Sequence, residues 1–234
     1  ETKPASTYGT TKVIASEETE AARANWVQEG DDWYYLLPDG SKNRQDLQFD
    51  NAIYKFNWNG SLKTAQWVPN TGGGAYPVFC YDEETQFLFD QLNDEKRDLY
   101  FDEYPDREEE YGNDEKRQYD RYAGFIMDEK LNQAAAHRLE AALANGYSGD
   151  AIPGEGTLKD YLAQISYRKN SSCRELYLRG REDVDDAFDK LIGKTQDKYD
   201  SNGKRKDSLD YYRRIGMAHV EKDGEQYFMV ILMR

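Results

Sequence analysis

Two histidines, two cysteines and 45 carboxylate residues set the chemistry open to this 234-residue chain. His137 lies beside Arg138 in an alanine-rich run, and His219 lies in a run of strand character near the C-terminus. Metal ligation needs convergent donors, and two unlinked histidines with no cysteine nearby supply too few, so no metal is expected and each histidine is assigned a structural or surface role. Cys80 and Cys173 are too few for a disulfide scaffold or a closed zinc site; one bridge is open to them, and two buried thiols are the plainer expectation. No Gly-x-Ser-x-Gly elbow and no Gly-x-x-x-x-Gly-Lys-Ser/Thr loop is present. Asp200-Ser201-Asn202-Gly203 has part of the spacing of a calcium loop, yet Lys198 stands at the first ligand position and no Glu closes it, so a turn is expected. Glu175 with Asp183 or Asp185 offers two carboxylates for acid–base work, although acidic residues are common enough here for chance proximity. No cofactor is expected.

The other side chains with chemical potential are aromatic. The stretches NWVQEGDDWYYLLPDGSK and NAIYKFNWNGSLKTAQWV align through an aromatic strand, a turn, Gly-Ser and Lys, with a repeat of about 20 residues. In each, a strand runs into a turn ending in Gly (Pro38-Asp39-Gly40 and Asn57-Trp58-Asn59-Gly60), where positive φ is cheap. The pattern resembles the cell-wall-binding repeats of Gram-positive surface proteins, of the choline- and glucan-binding type. That resemblance implies aromatics boxing a cationic or sugar ligand, and Trp26, Trp33, Tyr35, Tyr54 and Trp67 are the positions for it. The second unit departs from the pattern at Ile53 and Lys55, and residues 71–77 form a Gly-rich connector in place of a third unit. Packing of two hairpins on each other and on the next domain is the structural alternative.

The elements that must position these residues divide the chain into a linker at 1–24, β-hairpins at 25–80 and a larger α+β domain at 81–234. In the last, Glu83 to Arg97 predicts an amphipathic helix with Phe87, Leu88 and Leu92 on one stripe. An acidic insertion, 98–121, reads as a solvated face or loop. From Phe125 a second helix aligns Leu131, Ala135, Leu139, Ala142 and Leu143. Thr157 and Asp160 make a capping box for a short third helix. Cys173 to Leu176 reads as loop, and a fourth helix is expected from about Arg181 to Leu191. Two closing strands, 215–220 and 226–233, flank Asp223-Gly224, a strong hairpin signal.

This order resembles the CAP superfamily: Leu92-Asn93-Asp94-Glu95-Arg97 in the opening helix, the alanine-rich second helix, Val184-Asp185-Asp186-Ala187-Phe188, and Ile215-Gly216 entering the last hairpin. The resemblance implies an α-β-α sandwich with a cleft that in the family carries two histidines and two acids. Gly149 stands at the first histidine position, beside Ser148, and the stretch Lys194-Thr195-Gln196 lacks the second. Glu175 is the surviving acid, so Ser148, Glu175 and Gln196 mark a cavity remnant.

Net charge is -14, which disfavours a phosphate-backbone partner such as nucleic acid. Aromatics at 14 % exclude a disordered chain. No apolar run approaches the roughly 18 residues of a membrane span. The expected function is that of a secreted or surface-attached extracellular bacterial binding protein, its hairpins contacting wall polysaccharide, teichoic acid or choline, and its degenerate cavity taking an unknown ligand or protein. The alternative is a divergent CAP-type hydrolase or peptidase using Glu175.

Overall fold

The computed structural model describes residues 25–49, 52–67, 82–106, 123–195 and 198–234. The expected linker, Cys80, Gln196 and much of the acidic insertion lie outside the described residues.

The chain opens with a hairpin, β1 (Trp26–Glu29) and β2 (Asp32–Tyr35), followed by β3 (Leu47–Phe49), β4 (Ala52–Phe56) and β5 (Leu62–Trp67). Helix α1 (Glu83–Glu103) is capped by Asp82, whose side chain accepts from the Thr85 amide at 2.7 Å. The helix outruns its expected end. Leu88, Leu92, Lys96 and Tyr100 repeat at intervals of four and are buried, so the first residues of the expected insertion form a packed helical face. Phe87 is not on that stripe and stays 37 % exposed.

Strand β6 (Ile126–Asp128) leads directly into α2 (Glu129–Asn145), with Asp128 as cap. A small β-ribbon, β7 (Ala151–Ile152) and β8 (Gly156–Thr157), precedes α3 (Leu158–Gln164), where Thr157 and Asp160 close the expected capping box. Cys173 to Arg181 is not a loop but strand β9. Helix α4 (Val184–Lys194) buries Ala187 and Leu191 and starts behind an Asp183 cap, a few residues later than expected. The ribbon β10 (Lys198–Tyr199) and β11 (Arg205–Lys206) then gives way to the long closing hairpin, β12 (Arg214–Lys222) and β13 (Glu225–Met233).

Seven strands form one sheet in the order β3-β4-β5-β6-β12-β13-β9, antiparallel except for β6 beside β12. Its centre is covered on both faces, which is why β13 reads as an almost unbroken apolar run. Phe228, Val230 and Leu232 pack with α1 and α4, whereas Met229, Ile231 and Met233 pack with α2 and α3. Helix α2 lies very close to β12: a Cβ on Gly216 would stand 2.2 Å from the Leu131 carbonyl carbon. Where short β6 stops pairing with β12, the Asn132 side chain takes over and accepts from the Met217 amide at 2.9 Å. That buried amide therefore keeps a partner.

The sheet corrects the expected division at residue 80. Strands β3 to β5 belong to the same sheet as β12, β13 and β9, and Trp26, Tyr54 and Leu62 share a core cluster with Leu88, Met217 and Phe228. The hairpin segment and the C-terminal segment are one folded unit, because two hairpins alone bury too little apolar surface to stand by themselves.

Candidate functional site

Glu175 is the cavity remnant on which the alternative hydrolase reading depends, and its position on β9 decides what it can do. Alternation along the strand turns Glu175, with Cys173 and Tyr177, toward the α2 layer, and Leu176 and Leu178 toward the other. There Arg138, in the middle of α2, meets it as a bidentate pair at 2.7 Å and 2.7 Å, with side-chain exposures of 0 % and 3 %. The remaining Arg138 donor reaches the Gly156 carbonyl at 3.1 Å. Burial, then the Glu175 hydrogen bond and charge, act on the guanidinium, and the net effect raises its pKa. Both carboxylate oxygens are thus held by a permanently charged donor, which suits structure and not proton shuttling.

The neighbours agree. Burial first, then Glu175, push the Tyr147 phenol up. Burial pushes the Cys173 thiol up, so it is not an activated nucleophile. Ser148 sits exposed in the loop, pairing only its backbone with Ala151. Asp183 and Asp185 are at the start of α4, where Asp183 caps the helix and Asp185 accepts from Gln91 at 2.6 Å. The paired-carboxylate site is therefore not assembled from Glu175. His137 stacks on Tyr161 with ring centroids 4.7 Å apart and meets Glu155 at 2.6 Å. Among the described residues, neither histidine has a serine, threonine or cysteine as a hydrogen-bond partner.

The hairpin aromatics are largely inward. Tyr54 is 0 % exposed and Trp26 6 %, so neither offers a face to a ligand. Trp26 packs against Tyr35, Tyr54 and Phe56 at centroid distances of 5.4, 5.1 and 5.8 Å. Trp33 and Tyr35 are half-buried on the same cluster. Trp67 closes β5 opposite Ala52. The face of Tyr34 is covered by the chain's own cation, with Lys42 Nζ 3.6 Å from the ring centroid and 2.5 Å from Glu29.

Among the described hairpin aromatics, Trp58 is the strongly exposed one, 87 % accessible at the tip of the β4–β5 hairpin. Its turn is fixed. Asn57 N–H donates to the Ser61 carbonyl at 2.8 Å, Gly60 N–H to the Asn57 carbonyl at 2.9 Å, and the Ser61 amide and hydroxyl both reach Asn59 Oδ1, at 3.0 and 2.8 Å. The turn from Leu37 to Ser41 is closed the same way, through Asp39 and Ser41. Gly40 and Gly60 occupy matching left-handed positions, φ 83° and 89°.

Two further sites were not read from the sequence. Asp82, Glu84 and His219 come together where the start of α1 meets the closing hairpin, with one ligand atom of each within 4.8 Å of the others. His219 is on the α1 side of β12, opposite Phe228. Its Nδ1 is 2.8 Å from Asp82 Oδ2 and its Nε2 is 2.6 Å from Gln226 Oε1. Burial lowers the imidazole pKa, but the Asp82 hydrogen bond and charge, with Gln226, outweigh it and the net shift is upward. Burial likewise raises Asp82, and His219 with Thr85 more than reverse it. The sequence placed His219 in a run of strand character, but it gave no partner 137 residues away.

The second is a cleft of about 410 Å³ between the end of α1 and the C-terminal segment. Lys96, Lys204, Arg213 and Arg234 line it with Glu103 and Asp210, and Tyr100, Tyr104 and Tyr211 contribute aromatic surface. The Arg234 guanidinium lies 4.4 Å from the Tyr211 ring centroid. Against a chain charge of -14, a lining with more cations than acids stands out.

No protein-family model, no curated protein and no solved structure matches the chain.

Proposed function

We propose that this is an extracellular or surface-attached bacterial protein that binds cell-wall glycan without cleaving it, through a hairpin tip carried on a CAP-like domain with a degenerate cavity. The observation that carries the reading is Trp58, an indole at 87 % exposure on a turn locked by five hydrogen bonds. A rigid exposed aromatic is a binding anchor of low ordering cost. The Asn57 amide on one side and Asn59 Oδ1 on the other are tied to Ser61, so the turn is a fixed, uncharged platform on which a neutral sugar ring can stack. Glycan is favoured over choline, because a choline box needs open aromatic faces and those of Tyr34, Trp26 and Tyr54 are already covered.

The basic cleft beside Tyr211 supplies a second contact, fitting the anionic repeat of a teichoic-acid-type polymer. A hydrolase built on Glu175 has no support in the geometry, since Arg138 occupies both carboxylate oxygens.

The test is retention of the full chain on purified Gram-positive cell walls. Trp58→Ala is expected to lower affinity about tenfold or more, the effect of roughly 1.4 kcal/mol at a binding anchor, while its thermal midpoint stays unchanged. Wild-type retention by Trp58→Ala would refute the reading. Deleting the hairpins is not a usable control, because it removes strands from the shared sheet.

A further inference from the structure

We propose that Asp82, Glu84 and His219 form a binding site for a divalent transition ion of the zinc type, linking the start of α1 to the β12–β13 hairpin. The ligand atoms already converge within 4.8 Å. Their preparation is specific. Gln226 Oε1 accepts from His219 Nε2 at 2.6 Å, so when the Nδ1 proton now shared with Asp82 Oδ2 leaves, the ring's lone pair lies on the nitrogen that faces the carboxylates. A ligating histidine held from behind by a carbonyl oxygen is the usual outer-shell arrangement of a metal site. Asp82 is oriented in the same way: Oδ1 accepts from the Thr85 amide at 2.7 Å, leaving Oδ2 directed at His219.

The donor set chooses the ion. One imidazole and two carboxylates suit zinc and its neighbours, whereas magnesium requires more oxygen ligands in an octahedron. The positive end of α1 opposes a cation, and two carboxylates offset it. A proton and the ion compete for the same gap between Nδ1 and Oδ2, so binding weakens with falling pH. Three protein ligands leave positions for water.

The experiment uses the full chain, stripped with a chelator and desalted, titrated calorimetrically with zinc chloride and in parallel with magnesium chloride, with melting followed on the same samples. One equivalent of zinc is expected to bind and raise the melting midpoint, and magnesium at the same concentration is not. Glu84→Gln is expected to weaken zinc binding at least tenfold. Gln226→Leu removes no ligand, only the support behind His219, and is expected to weaken binding tenfold to a hundredfold. Both positions are half-buried, so both variants are expected to fold. No zinc-dependent heat or melting shift would overturn the proposal. Unchanged zinc affinity in both variants would also overturn it, by placing the ion elsewhere, such as at His137 and Glu155.

Discussion

Arg138 and Glu175 make a quantitative test of the distinction between a buried structural pair and a catalytic carboxylate. Changing Arg138→Met leaves the Glu175 carboxylate, 3 % exposed, without its guanidinium, and brings no new donor. Breaking a buried pair from one side costs about 3–5 kcal/mol, because the surviving charge is stranded away from water. Arg138→Met also frees the Gly156 carbonyl and removes the cation 3.7 Å from Glu155, which places the loss at the upper end of that range. For a chain of this length the melting midpoint falls by roughly 2–4 °C per kcal/mol, about 10–20 °C for a loss near 5 kcal/mol. Replacing both partners by methionine removes both charges and fills similar volume, so the double variant should recover most of the loss. Urea unfolding of wild type, Arg138→Met, Glu175→Met and the double variant closes the thermodynamic cycle. Single variants that lose less than about 1 kcal/mol, or a double variant no more stable than the singles, would show that the pair is not the buried unit the geometry describes.

Two other predictions follow from close contacts and from titration. Gly216→Ala is expected to cost at least about 3 kcal/mol, since the new methyl meets the Leu131 backbone and neither α2 nor β12 can move aside; urea unfolding measures it. The His219–Asp82 pair has a pH window. A raised histidine stabilises below its ordinary pKa of 6.5 and loses that contribution as pH rises through the folded value, whereas a lowered aspartate stabilises above 3.8 and loses it as pH falls through its folded value. The pair therefore contributes most between about pH 4 and 6.5. Asp90 works in the opposite sense: burial lifts its carboxyl to about 6, so folding favours the protonated form and stability gains as pH falls through that value. Subtracting the pH–stability profile of Asp82→Asn from that of wild type isolates the pair, and a difference independent of pH from 4 to 8 would refute it.

What could be read from the sequence was local. The spacing of Leu131, Ala135, Leu139 and Ala142 gave α2, Thr157 with Asp160 gave the cap of α3, and Asp223-Gly224 gave the closing hairpin, because each signal lies within a few residues of its effect. Strand β9 was missed since Cys173 to Arg181 lacks a clean alternation, with Arg174-Glu175 adjacent and Leu176-Tyr177-Leu178 in a run, and its carboxylate becomes acceptable on an inner face only when Arg138 arrives from another element. Trp26 and Tyr54 lie on the expected strands but are buried and not open to a ligand. Type and turn spacing mark a strand, whereas Tyr54 is buried by Leu88 and its neighbours from residues far along the chain. The cluster at Asp82, Glu84 and His219 and the cleft at Arg234 join segments more than a hundred residues apart, which no local pattern encodes.

Strand β6 is the narrow join of the seven-stranded sheet. It joins the hairpin half of the sheet to the C-terminal half through three paired residues on one side, Ile126 to Asp128 with β5, and two on the other, Ile126 and Met127 with β12. The flanking ladders are longer, with nine registered pairs between β12 and β13. The two halves are therefore held together less by strand pairing at β6 than by the core beneath it, where Trp26, Tyr54 and Leu62 of the first half share one cluster with Met217 and Phe228 of the second.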